Sequence, residues 1–229
     1  MIATALRRAP PFLELDCAEL AEIARHATQR HLEPGDALFE QGEPARRFYL
    51  VVQGWLKVTM ITPKGKQVVV RLIVPRDFCG IALALGRRDH PATCRALVEA
   101  HLLGWPTSYL EQFIATHPRV ALGVMHSLGR HIADLQSRIS EFATEQVEQR
   151  VANAVLRLAR NTGRPAEGGV HIDFPVTRQD IAEMTGTTLH SVSRIVSGWA
   201  GRGIVGRGRA RLVVRDLPAL QRIACGDKD

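Results

Sequence analysis

The sequence predicts an α+β chain in three parts: an N-terminal β-roll, a long helix and a C-terminal winged helix-turn-helix. Three observations carry that prediction. From residue 31 to Pro106, short β-type runs are punctuated by turn signals at Pro34-Gly35-Asp36, Gly42-Glu43-Pro44, Gly54 and Pro63-Lys64-Gly65. From Pro118 the apolar residues change to a helical period and keep it to about residue 161. Beyond Val176, two short helical patterns flank Gly186 and lead into GIVGRGRARLVV, two apolar runs around an Arg/Gly-rich turn. The expected boundaries are 1–117 for the roll, 118–145 for the long helix and 146–229 for the winged helix-turn-helix.

Taken in order, CAELAEIARHATQ opens the chain's helical texture, with Leu20, Ile23 and Ala24 on one face. Strands of a few residues follow; in KQVVVRLIV the alternation is imperfect, which predicts a strand covered on both faces. SYLEQFIATHP reads as a short helix. In the long helix Met125, Leu128, Ile132, Leu135, Ile139 and Phe142 fall at spacings 3-4-3-4-3, the a/d seam of a coiled coil. That seam could pack on the roll; its narrowness, with Arg130, Asp134, Gln136 and Glu141 on the flanks, favours a parallel dimer helix. NTGRPAEGG (161–169) reads as a turn-rich connector. Thr177 is the expected N-cap of the next helix with Asp180 as its capping-box partner, and Ile181, Ala182 and Met184 form its apolar face. Gly186 makes the turn, Thr187 or Thr188 caps the following helix, and Val192, Ile195 and Val196 are its buried stripe.

The chain has 229 residues and 45% hydrophobic content, ample for packed cores. No apolar run approaches the roughly 18 residues of a membrane span, and Pro10-Pro11 interrupts the start before a signal-peptide apolar region forms. A cytoplasmic location with no membrane partner is therefore expected. Cys17, Cys79, Cys94 and Cys225 are scattered, with no CxxC pair, so they are read as reduced and mostly buried, neither a disulfide framework nor a zinc site. The formal net charge of +7 fits a polyanionic partner, and its distribution says more. From Met184 to Arg215 there is no acidic residue, while Arg194, Arg202, Arg207, Arg209, Arg211 and Arg215 are all positive.

If residues 188–199 form a helix, burying its stripe leaves Leu189, His190, Ser191, Ser193 and Arg194 outward, mostly in the N-terminal half. That half meets base edges when such a helix enters a major groove. Arg194 can reach guanine bidentately or a phosphate, Ser191 and Ser193 can bond either, and Thr187 and Thr188 sit where helix N–H groups favour phosphate. With Arg178 and Arg209, these residues are the candidate DNA contacts. Two other classes compete. A cupin-like metalloenzyme needs convergent histidines inside the barrel, and residues 32–89 contain none. A protein-interaction module would explain the seam but not the helix-turn-helix.

The order of the motifs is informative: PGD, GEPA and FYLVVQG in the roll, the long helix, then VTRQDIAEMTG followed five residues later by VSRI. It resembles the CRP/FNR superfamily of bacterial transcription regulators over roughly residues 10–224. The resemblance implies a cyclic-nucleotide-binding-type β-roll as sensor, a homodimer reading an inverted repeat in double-stranded DNA, and RNA polymerase as a further partner. It also places an effector pocket near Phe78, Gly80, Ile81, Arg87, Arg88 and Met125. In the CRP and FNR branches a Glu that accepts from cytosine stands where this chain has His190.

Departures from the family pattern narrow the branch. Cyclic-nucleotide members carry a Glu for the ribose and an Arg-Ser for the cyclic phosphate; in FCGIALALGRRDHPATCRA those places hold Ile81 and His90-Pro91, with Arg87 and Arg88 out of register. Cyclic AMP is not expected. Cys17 alone does not supply an N-terminal iron–sulfur cluster. HPATCRA and TTLHSVSRIVSGW resemble the NnrR/Dnr-type regulators of denitrification, which implies nitric oxide or related nitrogen oxides as effector, through haem. Nine histidines offer axial ligands, and no CxxCH exists for covalent attachment.

Overall fold

The computed structural model describes residues 2, 6–7, 9–81, 86–172, 174–208 and 211–227. Two compact units are present: Met1–Ile61 with Val70–Asp134, and Thr62–Val69 with Leu135–Asp229. No helix is long and apolar enough to cross a membrane among the described residues.

In the first unit, α1 (Cys17–Arg25) starts at Asp16, whose carboxylate accepts from the Ala18 and Glu19 amides while Glu19 accepts from the Asp16 amide. This reciprocal cap satisfies the orphan donors of the first turn. The roll consists of two four-stranded sheets. One has the order β1-β8-β3-β6, with β1 Thr28–Leu32, β8 Ala100–Pro106, β3 Arg47–Gln53 and β6 Phe78–Cys79. The other has the order β2-β7-β4-β5, with β2 Ala37–Phe39, β7 Thr93–Ala96, β4 Leu56–Ile61 and β5 Gln67–Ile73. Between them lie Leu32, Val51, Leu56, Ile73, Cys79, Cys94 and Leu102. A second core gathers Phe12, Leu20, Ile23, Phe48, Phe78, Trp105, Phe113 and Val120, where the Trp105 indole donates to the Ile23 carbonyl at 3.0 Å. Gly54 turns β3 into β4 at φ +90°, and a Cβ there would lie 2.4 Å from the Glu99 carbonyl, so only glycine fits.

Two expectations are corrected here. The strand covered on both faces is β8, which runs between β1 and β3; β5 lies at a sheet edge and is mostly half-buried. Of the cysteines, Cys79 and Cys94 are buried but Cys17 and Cys225 are exposed; all four are free.

Helix α2 (Ser108–Thr116) leads into α3 (Pro118–Thr144). The seam of α3 faces outward: Leu122, Met125, Ile132, Ile139 and Phe142 are exposed, with Ile139 at 68%, while Leu128 and Leu135 are half-buried. Glu141 is not the solvated flank its position suggests. It is buried, paired with Arg157, and 3.3 Å from the Ser137 hydroxyl.

In the second unit the helical run breaks after Thr144 and restarts as α4 (Val147–Thr162), where the Gln149 side chain accepts from the Gln146 amide at 2.9 Å. α4 buries Val151, Ala152, Val155, Leu156 and Leu158. The presumed connector 161–169 is a correction as well: Gly163–Ala166 (β9) pairs antiparallel with Gly169–Ile172 (β10). They extend a sheet of order β11-β12-β10-β9 with Val205–Gly208 (β11) and Arg211–Val214 (β12). A turn-rich composition is also what a short hairpin needs, and local chemistry does not distinguish the two. Between the sheet strands lie α5 (Arg178–Thr185) and α6 (Leu189–Gly201), and α7 (Leu217–Cys225) closes the chain.

Candidate nucleic-acid interface

The helix-turn-helix is assembled by local chemistry. Thr177 Oγ1 accepts from the Asp180 amide and Asp180 Oδ2 from the Thr177 amide, both at 3.0 Å, which sets where α5 begins. α5 ends at Gly186 in the left-handed conformation (φ 62°, ψ 31°), whose N–H and that of Thr187 both donate to the Ala182 carbonyl. Thr188, not Thr187, is the N-cap of α6: its hydroxyl accepts from the Ser191 amide at 3.1 Å and lies 2.9 Å from the Ser191 hydroxyl.

α6 buries Val192, Val196 and Trp199, while Ile195 is half-buried. Trp199 extends the predicted stripe by one turn, a position the sequence reading omitted although it lies three residues after Val196. Its indole donates to Glu148 Oε1 at 2.8 Å and so ties α6 to α4. Outward, Leu189, His190 and Arg194 are exposed, and Ser191 and Ser193 are half-buried. His190 and Arg194, four residues apart, stand side by side on one helix face. No acidic residue occupies the first turn, so no side chain of that turn offsets the partial positive charge of the helix N-terminus. Arg178 is exposed at the start of α5. Neither Arg178 nor Arg194 makes an ion pair among the described residues. Arg209, which follows β11 in the sequence, lies outside the described residues.

The sequence did not reveal what surrounds this face. Ser191, Arg194 and Ile195 line an open cleft of about 560 Å³ with Glu145, Gln146, Val147, Glu148 and Arg150 from the start of α4. Both carboxylates are engaged: Glu145 accepts from Asn153, and Glu148 accepts from Trp199 and lies 3.5 Å from Arg202. Arg150 acts as a clamp. It donates to the carbonyls of Glu145 and Thr185, and its guanidinium sits 5.4 Å from the Phe142 ring centre. The same ring bears on the turn, since a Cβ on Gly186 would come within 2.9 Å of Phe142 Cε1. Arg138 donates to the Val69 and Met184 carbonyls, and Gln67 donates to Glu183, so the segment Thr62–Val69 is held by α3 and α5.

The residues expected at an effector pocket differ in their surroundings. Phe78 is buried edge-on to Phe12 and beside Phe48, and Ile81 packs against that same core. Gly80 adopts φ +74° below the Arg47 carbonyl. Arg87 pairs with Asp89 at 3.3 Å, Arg88 is exposed and its carbonyl accepts from the Ala45 amide, and Met125 is on the exposed face of α3. His90 is buried and stacked on Phe39 at 3.7 Å, and burial lowers its pKa, so its ring is neutral.

Comparison with known proteins agrees with this architecture. The cyclic nucleotide-binding domain profile matches residues 29–117 and the Crp-like helix-turn-helix domain profile residues 149–223. The chain is 22% identical over 219 residues to the CRP-like cAMP-activated global transcriptional regulator of Mycobacterium tuberculosis, covering 96% of this chain and 98% of that protein. It is 27% identical over 185 residues to the global nitrogen regulator of Synechocystis, covering 80% and 82%. The structure of FixK2 from Bradyrhizobium japonicum superposes with a TM-score of 0.76 at 22% identity, over 86% of this chain and 96% of that one, and shares the fold. These relatives are transcription regulators and not enzymes. With a cyclic-nucleotide-binding-type roll, a long helix and a Crp-like helix-turn-helix in that order, the chain belongs to the CRP/FNR family of transcription regulators.

Proposed function

We propose that the chain works as a homodimer joined along the α3 seam, reading an inverted repeat in double-stranded DNA with the N-terminal half of α6 in the major groove. The observation that carries this reading is the outward face of α6, where His190 and Arg194 stand beside the Thr188 cap with no acid in the first turn. RNA polymerase is the further partner. The test is a binding-site selection on the purified protein, followed by salt-dependent affinity for the selected duplex and a scrambled one. A symmetric consensus bound with a steep salt slope and clear preference over the scrambled duplex is the expected result. Equal affinity for both would overturn it.

For the effector we propose a nitrogen oxide taken up through haem, which supplies the iron that binds the gas. What supports this over cyclic AMP is the substitution of Ile81 for the ribose carboxylate and of the neutral, stacked His90 for the phosphate-binding cation. Among the buried histidines of the roll, His117 has no hydrogen bond at either ring nitrogen; its Nδ1 lies 3.4 Å from Glu19 Oε1, which leaves Nε2 as the nitrogen to ligate iron. An absorption spectrum of the protein with added haem, with and without nitric oxide, tests the reading, and His117→Ala should alter the spectrum. The second reading, a cyclic-nucleotide-responsive regulator, is favoured by the cAMP-activated Mycobacterium relative and by the matching domain profile. Calorimetric binding of cyclic AMP at micromolar concentration would establish that reading instead.

A further inference from the structure

The edge of the roll holds a cluster that neither DNA reading nor effector binding uses. β1 and β8 are antiparallel, and their register sets His31 directly opposite His101, with ring centres 4.8 Å apart. Two residues from each histidine, and therefore on the same side of an extended chain, stands a glutamate: Glu33 after His31 and Glu99 before His101. Glu99 Oε1 lies 3.3 Å from His101 Nε2 and 3.9 Å from His31 Nδ1. Glu33 Oε1 lies 3.0 Å from the other nitrogen of His31, Nε2. One donor atom from each of His31, Glu99 and His101 can be chosen so that all three lie within 4.8 Å of one another.

These contacts differentiate the two glutamates. By accepting from His31 Nε2, Glu33 selects the tautomer that leaves the Nδ1 lone pair free, and Nδ1 is the nitrogen turned toward Glu99. A carboxylate behind a histidine in this way is the usual outer support of a metal ligand, fixing the ring's orientation and raising its basicity. Glu33 is itself held, because its backbone N–H donates to Asp36 Oδ2 at 3.0 Å. The contact also pulls the His31 pKa upward, as a carboxylate beside an imidazole does.

We propose that His31, Glu99 and His101 bind a first-row transition-metal dication, with Zn²⁺ the best match, and that Glu33 is the outer carboxylate that orients His31. Two imidazole nitrogens and one carboxylate oxygen suit zinc and its neighbours, whereas Mg²⁺ and Ca²⁺ require oxygen donors. Zinc bonds of about 2.0–2.2 Å place neighbouring ligand atoms about 3.3–3.5 Å apart, so from a spread of up to 4.8 Å the cluster must tighten by up to about 1.5 Å. All three side chains are exposed, so Glu99 and His101 can close on the ring that Glu33 holds. The bound ion would tie the edge strand β1 to β8 and leave its remaining position to water.

The experiment is calorimetric titration of ZnCl₂ into the untagged full-length protein, with excess MgCl₂ present throughout. The expected result is one ion per protomer, abolished in the double variant His31→Gln/His101→Gln and weakened about 10–100-fold, at unchanged stoichiometry, in Glu33→Gln. Both rings are exposed, so the double variant should melt as the wild type does without zinc; Glu99→Gln, which keeps both rings, must also lose affinity. Nitrogen-15 spectra of the imidazoles give an independent reading: zinc should shift Nδ1 of His31 and Nε2 of His101. Absence of uptake at millimolar zinc, or wild-type binding by the double variant, would overturn the proposal.

Discussion

At the scale of single residues, Arg194 and His190 make the most specific claims. Arg194 is exposed and free of ion pairs among the described residues, so Arg194→Ala should cost about 1–3 kcal/mol per half-site if it reads guanine, with discrimination relaxed at one symmetric position. His190 can donate or accept, whereas a glutamate there accepts only. His190→Glu should therefore keep the fold and move the preferred base at one position of each half-site toward a pair read through the cytosine amino group. Selection of binding sites on both proteins decides it, and identical consensus sequences would remove His190 from the groove. His90 makes a prediction about pH. Burial lowers its folded-state pKa, and the carboxylates of Glu43 and Asp89 oppose this without cancelling it. The unfolded chain then binds more protons just below pH 6.5, so the contribution of His90 is fully present above that value. It is lost as the pH falls from there to the folded pKa. Urea midpoints measured across this range should fall with acidification, and less so in His90→Asn.

At the scale of elements, the turn between α5 and α6 depends on Gly186 for two separate reasons. Its left-handed backbone costs an alanine about 1–2 kcal/mol, and the added Cβ would press on the Phe142 ring at the end of α3. Gly186→Ala should lower the unfolding midpoint by more than the backbone cost alone. Adding Phe142→Ala should give back part of that loss, a non-additivity that a double-mutant cycle reads directly. If the two changes are simply additive, ring and turn are not in contact. This geometry gives Phe142 a second role. The residue that ends the heptad seam also supports the helix-turn-helix, with Arg150 stacked on the same ring and bonded to the end of α5.

At the scale of the whole molecule, the exposed seam of α3 is the feature a single chain leaves unexplained. Apolar side chains in a row along one helix face, more than half exposed at Leu122, Met125, Ile132 and Ile139, call for a partner surface. Leu135 is already half-buried within the chain, so a polar residue there would disturb folding as well as assembly. Ile132 is the cleaner probe. Ile132→Asp places a carboxylate against its symmetry mate and should cost several kcal/mol of dimer stability. In analytical ultracentrifugation the variant should sediment as a monomer with its circular dichroism unchanged, and its affinity for an inverted repeat should fall. A variant that stays dimeric would place the dimer contact elsewhere.

What the sequence by itself determined about this chain is what local spacing encodes. The α+β class, the seam at 3-4-3-4-3, the Thr177–Asp180 cap, the glycine turn and the acid-free outer half of α6 all follow from interactions within four or five residues. Only the tertiary structure decided what distant segments do to one another. It placed Glu145 and Glu148 in the cleft with Arg194, buried Glu141 against Arg157, and moved full coverage from β5 to β8. It also made a paired hairpin of residues read as a connector, and brought His31 to face His101. The physical reason is the same in each case. A strand's neighbours and a carboxylate's partner are set by register and packing between segments far apart in the chain, and no periodicity within either segment records them.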